Sequence, residues 1–140
     1  MPNIGTATWR GDLKSGSGTF TAGEAISGEY SFKTRFEDEP GANPEQLIAG
    51  AHAACFSMAL SNILAEAGHV PESVETEARV TLRMVDGTPT ITDIALKTTG
   101  RVPGIDEGTF RSHAEQAKVG CPVSRALAGV PNVTLEATLA

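Results

Sequence analysis

The sequence is short of cysteine, of basic clusters and of long apolar runs, and each shortage removes a class of protein. Two cysteines in 140 residues are too few for a disulfide scaffold, and without a C-x-x-C pair there is no metal knuckle. In a reducing compartment such a pair is either inert or redox-active. No cluster of Lys and Arg occurs, and the net charge is −6 with an isoelectric point near 5.0. That balance argues against nucleic acid or an anionic membrane as partner. The longest apolar run, residues 49–60, is broken by His52 and Ser57 and reads as too short to span a bilayer. The opening MPNIGTATWR has no charged segment followed by an apolar one, so the expectation is a cytoplasmic protein with no signal peptide and no membrane. No internal repeat, low-complexity tract or linker divides the chain. Residues 1–140 are therefore expected to form one domain, large enough for a real core.

The chain does contain one long helical stretch, Asn43 to Gly68. Asn43 suits the N-cap, Pro44 the first helical position and Gln46 the third, where it can complete a capping box. Gly68 can supply the left-handed C-terminal residue, and Pro71 prevents continuation. Between these ends the residues are mostly small and apolar, with almost no polar face, which predicts burial on most sides. A rod of about 25 residues is roughly 37 Å long, more than one sheet from this chain covers. A second copy is the simplest cover, and a symmetric dimer the commonest closed form.

Around this helix the pattern predicts β-β-β-α-β-β-α-α-β, an α+β domain. Residues 5–10 and 16–22 read as short strands. YSFKTRF, 30–36, alternates and is expected as a third, with Lys33 and Arg35 on its polar face. Residues 74–86 alternate over a long strand, and 90–102 read as its hairpin partner after a turn at Gly87 and Pro89. Asp106 can cap a helix to about Lys118. Cys121 and Pro122 can start a short one reaching Ala128, and 132–139 close the chain as a strand.

Several residues are candidates for chemistry, and each has a plainer reading. Cys55 lies inside the long helix, where free cysteines commonly serve as small hydrophobes. Cys121, at a helix start, has its sulfur near a positive dipole end that favours thiolate, or is merely tolerated there. Arg35 can stabilise a thiolate and hold a peroxide oxygen, or belong to a solvated strand face. Glu45, in the first helical turn, is favourable for the dipole alone. His52, one turn before Cys55, can be its base or a packed core histidine. A zinc site from Cys55, His52 and Cys121 lacks a nameable fourth ligand. Glu45 and Cys55 share a helix face but stand about 15 Å apart along the axis, so one site holding both needs Arg35 as a bridge or an antiparallel partner helix.

TRFEDEPGANPEQLIAGAHAACFSMAL at 34–60, GCPVSRAL at 120–127, VPGID at 102–106 and ATWRGDLKSGSGT at 7–19 together resemble the OsmC/Ohr family of thiol-dependent peroxidases. AHAACFSMAL and the arginine inside TRFE resemble its OsmC branch. The resemblance implies an intertwined homodimer with antiparallel sheets wrapped around long central helices. It implies reduction of organic hydroperoxides, and more weakly of hydrogen peroxide, without metal, haem or other cofactor. It assigns Cys55 as the peroxidatic cysteine and Cys121 as the resolving one. Arg35 becomes the thiolate-stabilising arginine, and Glu45 the glutamate holding it. An external dithiol, of the lipoyl type, would reduce the resulting disulfide. The sequence departs from the family pattern at Gln46, where a second glutamate is frequent. The competing class is a redox-sensing module that uses the same cysteine pair without rapid turnover.

Overall fold

Ser31 decides how the first part of the chain is arranged. The computed structural model describes all 140 residues, in two compact units, Met1–Leu47 and Ile48–Ala140. In the first, strands β1 (Gly5–Arg10), β2 (Ser17–Ala22) and β3 (Ile26–Tyr30) form an antiparallel meander. Trp9 and Tyr30 pack with ring centroids 5.4 Å apart, and Phe20 meets Tyr30 edge-on at 6.0 Å. Residues 30–36 are not the strand that their alternation suggests. The third strand ends at Tyr30, and Phe32–Phe36 form helix α1. Ser31 Oγ accepts from the Thr34 N–H at 3.2 Å, while Thr34 Oγ1 accepts from the Ser31 N–H at 2.9 Å. This reciprocal capping box starts a helical turn. The same spacing that reads as β-alternation also brings Phe32 onto Phe36, centroids 4.9 Å apart. Local capping overrides periodicity here, and Arg35 consequently sits in a helical turn.

Helix α2 runs from Pro44 to Glu66, close to the expected span. Asn43 Oδ1 accepts from the Gln46 N–H at 2.9 Å, while its amide donates to Thr34 O at 3.0 Å. At the other end Gly68 has φ +90°, the left-handed conformation that lets the His69 N–H reach Leu64 O at 2.8 Å. The 49–60 run is part of a longer apolar stretch, much of it uncovered in the single chain. By length and composition α2 is long and apolar enough to cross a membrane, because Ile48, Ile63, Leu64 and their neighbours extend the 49–60 run on both sides. The chain alone leaves much of it open, as expected of a rod longer than one sheet of this chain covers: only 22% of the residues in its most apolar stretch are buried. The core takes Phe56, Leu60 and Leu64, all 0% exposed, at the i, i+4, i+8 spacing of one face. Gly50, Ala51, Ala54 and Met58 are left exposed on another.

In the second unit, β4 (Ser73–Val85) and β5 (Thr88–Arg101) form a long antiparallel hairpin. Asp86 and Gly87, both at positive φ, make the two-residue turn favoured by the twist of the strands. Pro89 lies within β5 rather than in the turn. A register shift between Thr81 and Leu82 marks a bulge. Strand β5 is central, and Ile94, Leu96, Thr98 and Gly100 alternate onto its buried face. Helix α3 (Glu107–Gly120) begins at Asp106, whose carboxylate accepts from the Thr109 N–H at 2.7 Å. It buries Phe110, Ala114 and Ala117. A Cβ at Gly100 would overlap the Phe110 ring, so glycine lets this helix approach the strand. Helix α4 (Pro122–Ala126) follows, two residues shorter than expected, and then β6 (Asn132–Leu139). β6 joins β5 in parallel, the one departure from antiparallel pairing. The α3–α4 connection supplies the long crossover that parallel pairing requires. The α+β class stands.

Candidate active site

Cys55 is half-buried on α2, against the core that contains the fully buried Cys121. The two thiols are neighbours. Burial pushes the Cys55 thiol above its usual 9.0, the Val123 backbone N–H opposes this, and the neighbouring Cys121 thiol adds to the rise. Both cysteines are free, so the resting pair is a juxtaposed dithiol.

The start of α4 holds Cys121 in place. Cys121 is the N-cap, with the extended backbone of a capping residue, and Pro122 occupies the first helical position. The Ser124 N–H donates to Cys121 Sγ at 3.3 Å, and the Cys121 thiol donates to Ser124 Oγ at 3.0 Å. Ser124 Oγ in turn lies 2.7 Å from His52 Nε2. His52 is 0% exposed, and its Nδ1 has no partner. Desolvation holds its pKa below the usual 6.5. The histidine expected beside Cys55 therefore hydrogen-bonds toward Cys121, through a serine that sequence reasoning passed over. The signal was present: Ser124 stands three residues after Cys121 in GCPVSRAL, where an N-cap residue meets its partner.

Arg35 and Glu45 are brought together in the first unit. Arg35 Nε and Nη2 both donate to Glu45 Oε1, at 3.1 and 2.8 Å. The guanidinium also lies 5.4 Å from the centre of the Phe36 ring. The Glu45 side chain is 9% exposed and that of Arg35 35%, so the carboxylate is the buried member. Glu45 Oε2 has no partner, and Arg35 Nη1 makes no hydrogen bond within the chain. The pairing depends on α1: helical backbone aims Arg35 at the first turn of α2. A cation held by one buried carboxylate, with donors to spare, is suited to binding an anion or a polarised oxygen. No group of three or more His, Cys, Asp or Glu is arranged to hold a metal ion.

A family model described as OsmC-like protein matches residues 36–136, a span that includes Glu45, Cys55 and Cys121 and starts one residue after Arg35. The chain is 53% identical over 125 residues to "Peroxiredoxin OsmC" of Escherichia coli (strain K12), covering 88% of this chain and 87% of that protein. It is 32% identical over 96 residues to the organic hydroperoxide resistance protein of Xanthomonas axonopodis pv. citri, covering 68% of this chain and 66% of that one. Among solved structures, the organic hydroperoxide resistance protein OhrB of Bacillus subtilis superposes with a TM-score of 0.72 at 26% identity, covering 98% of each chain. A Legionella pneumophila organic hydroperoxide resistance protein OsmC gives 0.73 at 22% identity over 100% of this chain and 97% of that one, a likeness of fold. With a juxtaposed cysteine pair, a carboxylate-held arginine and these relatives, the chain belongs to the OsmC-like protein family.

Proposed function

We propose that this protein reduces organic hydroperoxides, and hydrogen peroxide more weakly, to alcohols or water by a two-cysteine mechanism. It is a peroxidase of the OsmC type, as its relatives named peroxiredoxin and organic hydroperoxide resistance protein indicate. The observation that carries the two-cysteine reading is that Cys55 packs against the core holding Cys121, near enough for the Cys121 thiol to push the Cys55 thiol up.

In this reading the Cys55 thiolate attacks the terminal oxygen of ROOH. The O–O bond breaks, the alkoxide takes a proton and leaves as alcohol, and Cys55 becomes a sulfenic acid. Cys121 attacks the Cys55 sulfur, forming the disulfide and releasing water. An external dithiol, of the lipoyl type, returns both cysteines to thiols by exchange. Because its surroundings in the chain push the Cys55 thiol up, thiolate formation needs a cation. Glu45 and Cys55 of one helix stand about 15 Å apart, so that task is assigned to the Arg35 of a second copy, held by its own Glu45, and its unused N–H groups are assigned the peroxide oxygen. Apolar residues next to Cys55 on the same helix, such as Phe56 and Ala59, favour organic peroxides, whose alkyl groups gain hydrophobic contact that H2O2 lacks.

The working unit is proposed to be a homodimer. The uncovered strip Gly50, Ala51, Ala54 and Met58 recurs at helical spacing and is apolar throughout. An isologous pairing of two such strips would bury it.

The test is steady-state turnover of cumene hydroperoxide with a dithiol reductant. Wild type should turn over, and Cys55→Ser should abolish it; a wild-type rate in that variant ends the proposal. Oxidation that is stoichiometric and slow, without turnover, would instead indicate a redox sensor.

A further inference from the structure

From the line of contacts behind Cys121 we infer that Ser124 and His52 form a proton relay that activates Cys121, the second cysteine, for disulfide formation. This rests on the two-cysteine reading above and assigns two residues that the reading leaves unused. The geometry is continuous: Cys121 Sγ to Ser124 Oγ is 3.0 Å, and Ser124 Oγ to His52 Nε2 is 2.7 Å. A serine hydroxyl accepts and donates at once. With the thiol donating to Ser124 Oγ and the imidazole proton on Nδ1, the hydroxyl proton points to Nε2, and both side-chain donors run from Cys121 toward the histidine. The Ser124 N–H on Cys121 Sγ, at 3.3 Å, stabilises the sulfur as negative charge develops. Ser124 thus meets the sulfur twice and His52 stands behind it, at a cysteine that is 1% exposed, where water has little access to take its proton.

During resolution the thiol proton passes to Ser124 Oγ as the serine proton passes to His52 Nε2. The Cys121 sulfur pair forms the S–S bond while the Cys55 S–O bond breaks. The departing hydroxide takes a proton from solvent to become water, and His52 later releases one to solvent. Atoms and charge balance with no added oxidant or reductant. His52 lines a cavity of about 430 Å³ with Ser124, Lys118, Arg125, Leu127 and Val133, a route by which its proton can leave. Lys118 from α3 and Arg125 from α4 are the charged groups facing that cavity, β6 contributes only Val133, and the cysteines are the remaining titratable neighbours. Burial disfavours a resting imidazolium, so His52 waits as a neutral base and is charged only during the transfer. Ser124 touches the reacting sulfur; His52 acts through it as a positioning residue.

The experiment follows disulfide formation in single turnover, by quenching and mass spectrometry, separately from sulfenic acid formation at Cys55 trapped with dimedone. Wild type, Ser124→Ala, Ser124→Thr and His52→Gln are compared, each first shown to be folded by circular dichroism. The relay predicts that near pH 6.5 Ser124→Ala and His52→Gln slow the disulfide step by about tenfold or more. Ser124→Thr, which keeps the hydroxyl, should retain most of the rate. Near pH 9.5 all variants should come within about twofold of wild type, since a thiol is then largely ionised at equilibrium and the step no longer needs a base. Equal slowing at every pH marks a merely structural role and overturns the relay, as do wild-type rates near pH 6.5. Absence of any disulfide in the wild type overturns the two-cysteine reading itself, and the relay with it.

Discussion

Replacing Arg35 with methionine puts the proposed chemistry under the most strain, because Cys55 is a poor nucleophile by its own surroundings. A thiol with a pKa of 9.0 is about 1% thiolate at pH 7, and burial beside Cys121 pushes Cys55 higher still. The one opposing contact, the Val123 N–H, does not reverse the direction. A cation within about 4–6 Å lowers a thiol pKa by about 1–3 units, which is about 10- to 1000-fold in thiolate at pH 7. Glu45 holds Arg35 at 2.8 and 3.1 Å through one carboxylate oxygen, leaving Nη1 for that role toward the Cys55 of a second copy in the proposed dimer. Single-turnover oxidation of the reduced protein by cumene hydroperoxide should therefore slow about 10- to 1000-fold in Arg35→Met at pH 7. The deficit should shrink as the pH approaches about 10, where thiolate forms unaided. Glu45→Gln should cost less, about tenfold, because its amide oxygen still accepts from the guanidinium. Consumption of peroxide at matched pH gives both comparisons. A wild-type rate for Arg35→Met at pH 7 would refute the reasoning. A deficit equal at pH 7 and pH 10 would refute the thiolate role and leave Arg35 acting on the peroxide alone.

Two further outcomes are expected. Met58, 76% exposed on the uncovered face of α2, should tolerate glutamate in a monomer but not in a symmetric interface, where two carboxylates would be buried unpaired at a cost of several kcal/mol. Sedimentation of Met58→Glu should show a dimer falling to monomer, and an unchanged dimer mass would remove this strip from the interface. His52 also gives stability a pH dependence. Its folded pKa lies below 6.5, so the unfolded chain takes up a proton that the folded chain refuses. Its contribution is full above about pH 6.5 and is lost as the pH falls below that. Between about pH 7.5 and pH 5 the wild type should lose more melting temperature than His52→Gln; parallel curves would contradict this.

The parts legible in the sequence were those set by local chemistry. The ends of α2 are written in Asn43, Pro44 and Gly68, and those of α3 and α4 in Asp106, Cys121 and Pro122, because a cap is satisfied within a few residues. The 30–36 segment misled because Phe32, Thr34 and Phe36 fit a two-residue period while Ser31 and Thr34 encode a capping box. Hydrogen bonds at Ser31 outweighed the alternation, which moved Arg35 from a strand face to a helical turn. The parallel β5–β6 pairing joins residues about forty positions apart, such as Ile94 and Val133, and no local pattern announces it. His52 and Cys55 were legible as neighbours on one helix. That His52 hydrogen-bonds to Ser124, 72 residues away, depends on how α4 docks. The length and apolar surface of α2 were legible as more than one chain covers, and much of that surface is uncovered in the single chain.

The account depends most on Cys55 and Cys121 acting as one redox unit. The direct measurement adds one equivalent of cumene hydroperoxide to the fully reduced protein, quenches with an alkylating agent and maps the cysteines by mass spectrometry without reduction. The account predicts that each peroxide consumed removes two thiols and leaves a disulfide between Cys55 and Cys121 of the same chain. Peroxide consumed with Cys121 still fully alkylated, or a disulfide found only between two chains, would contradict it.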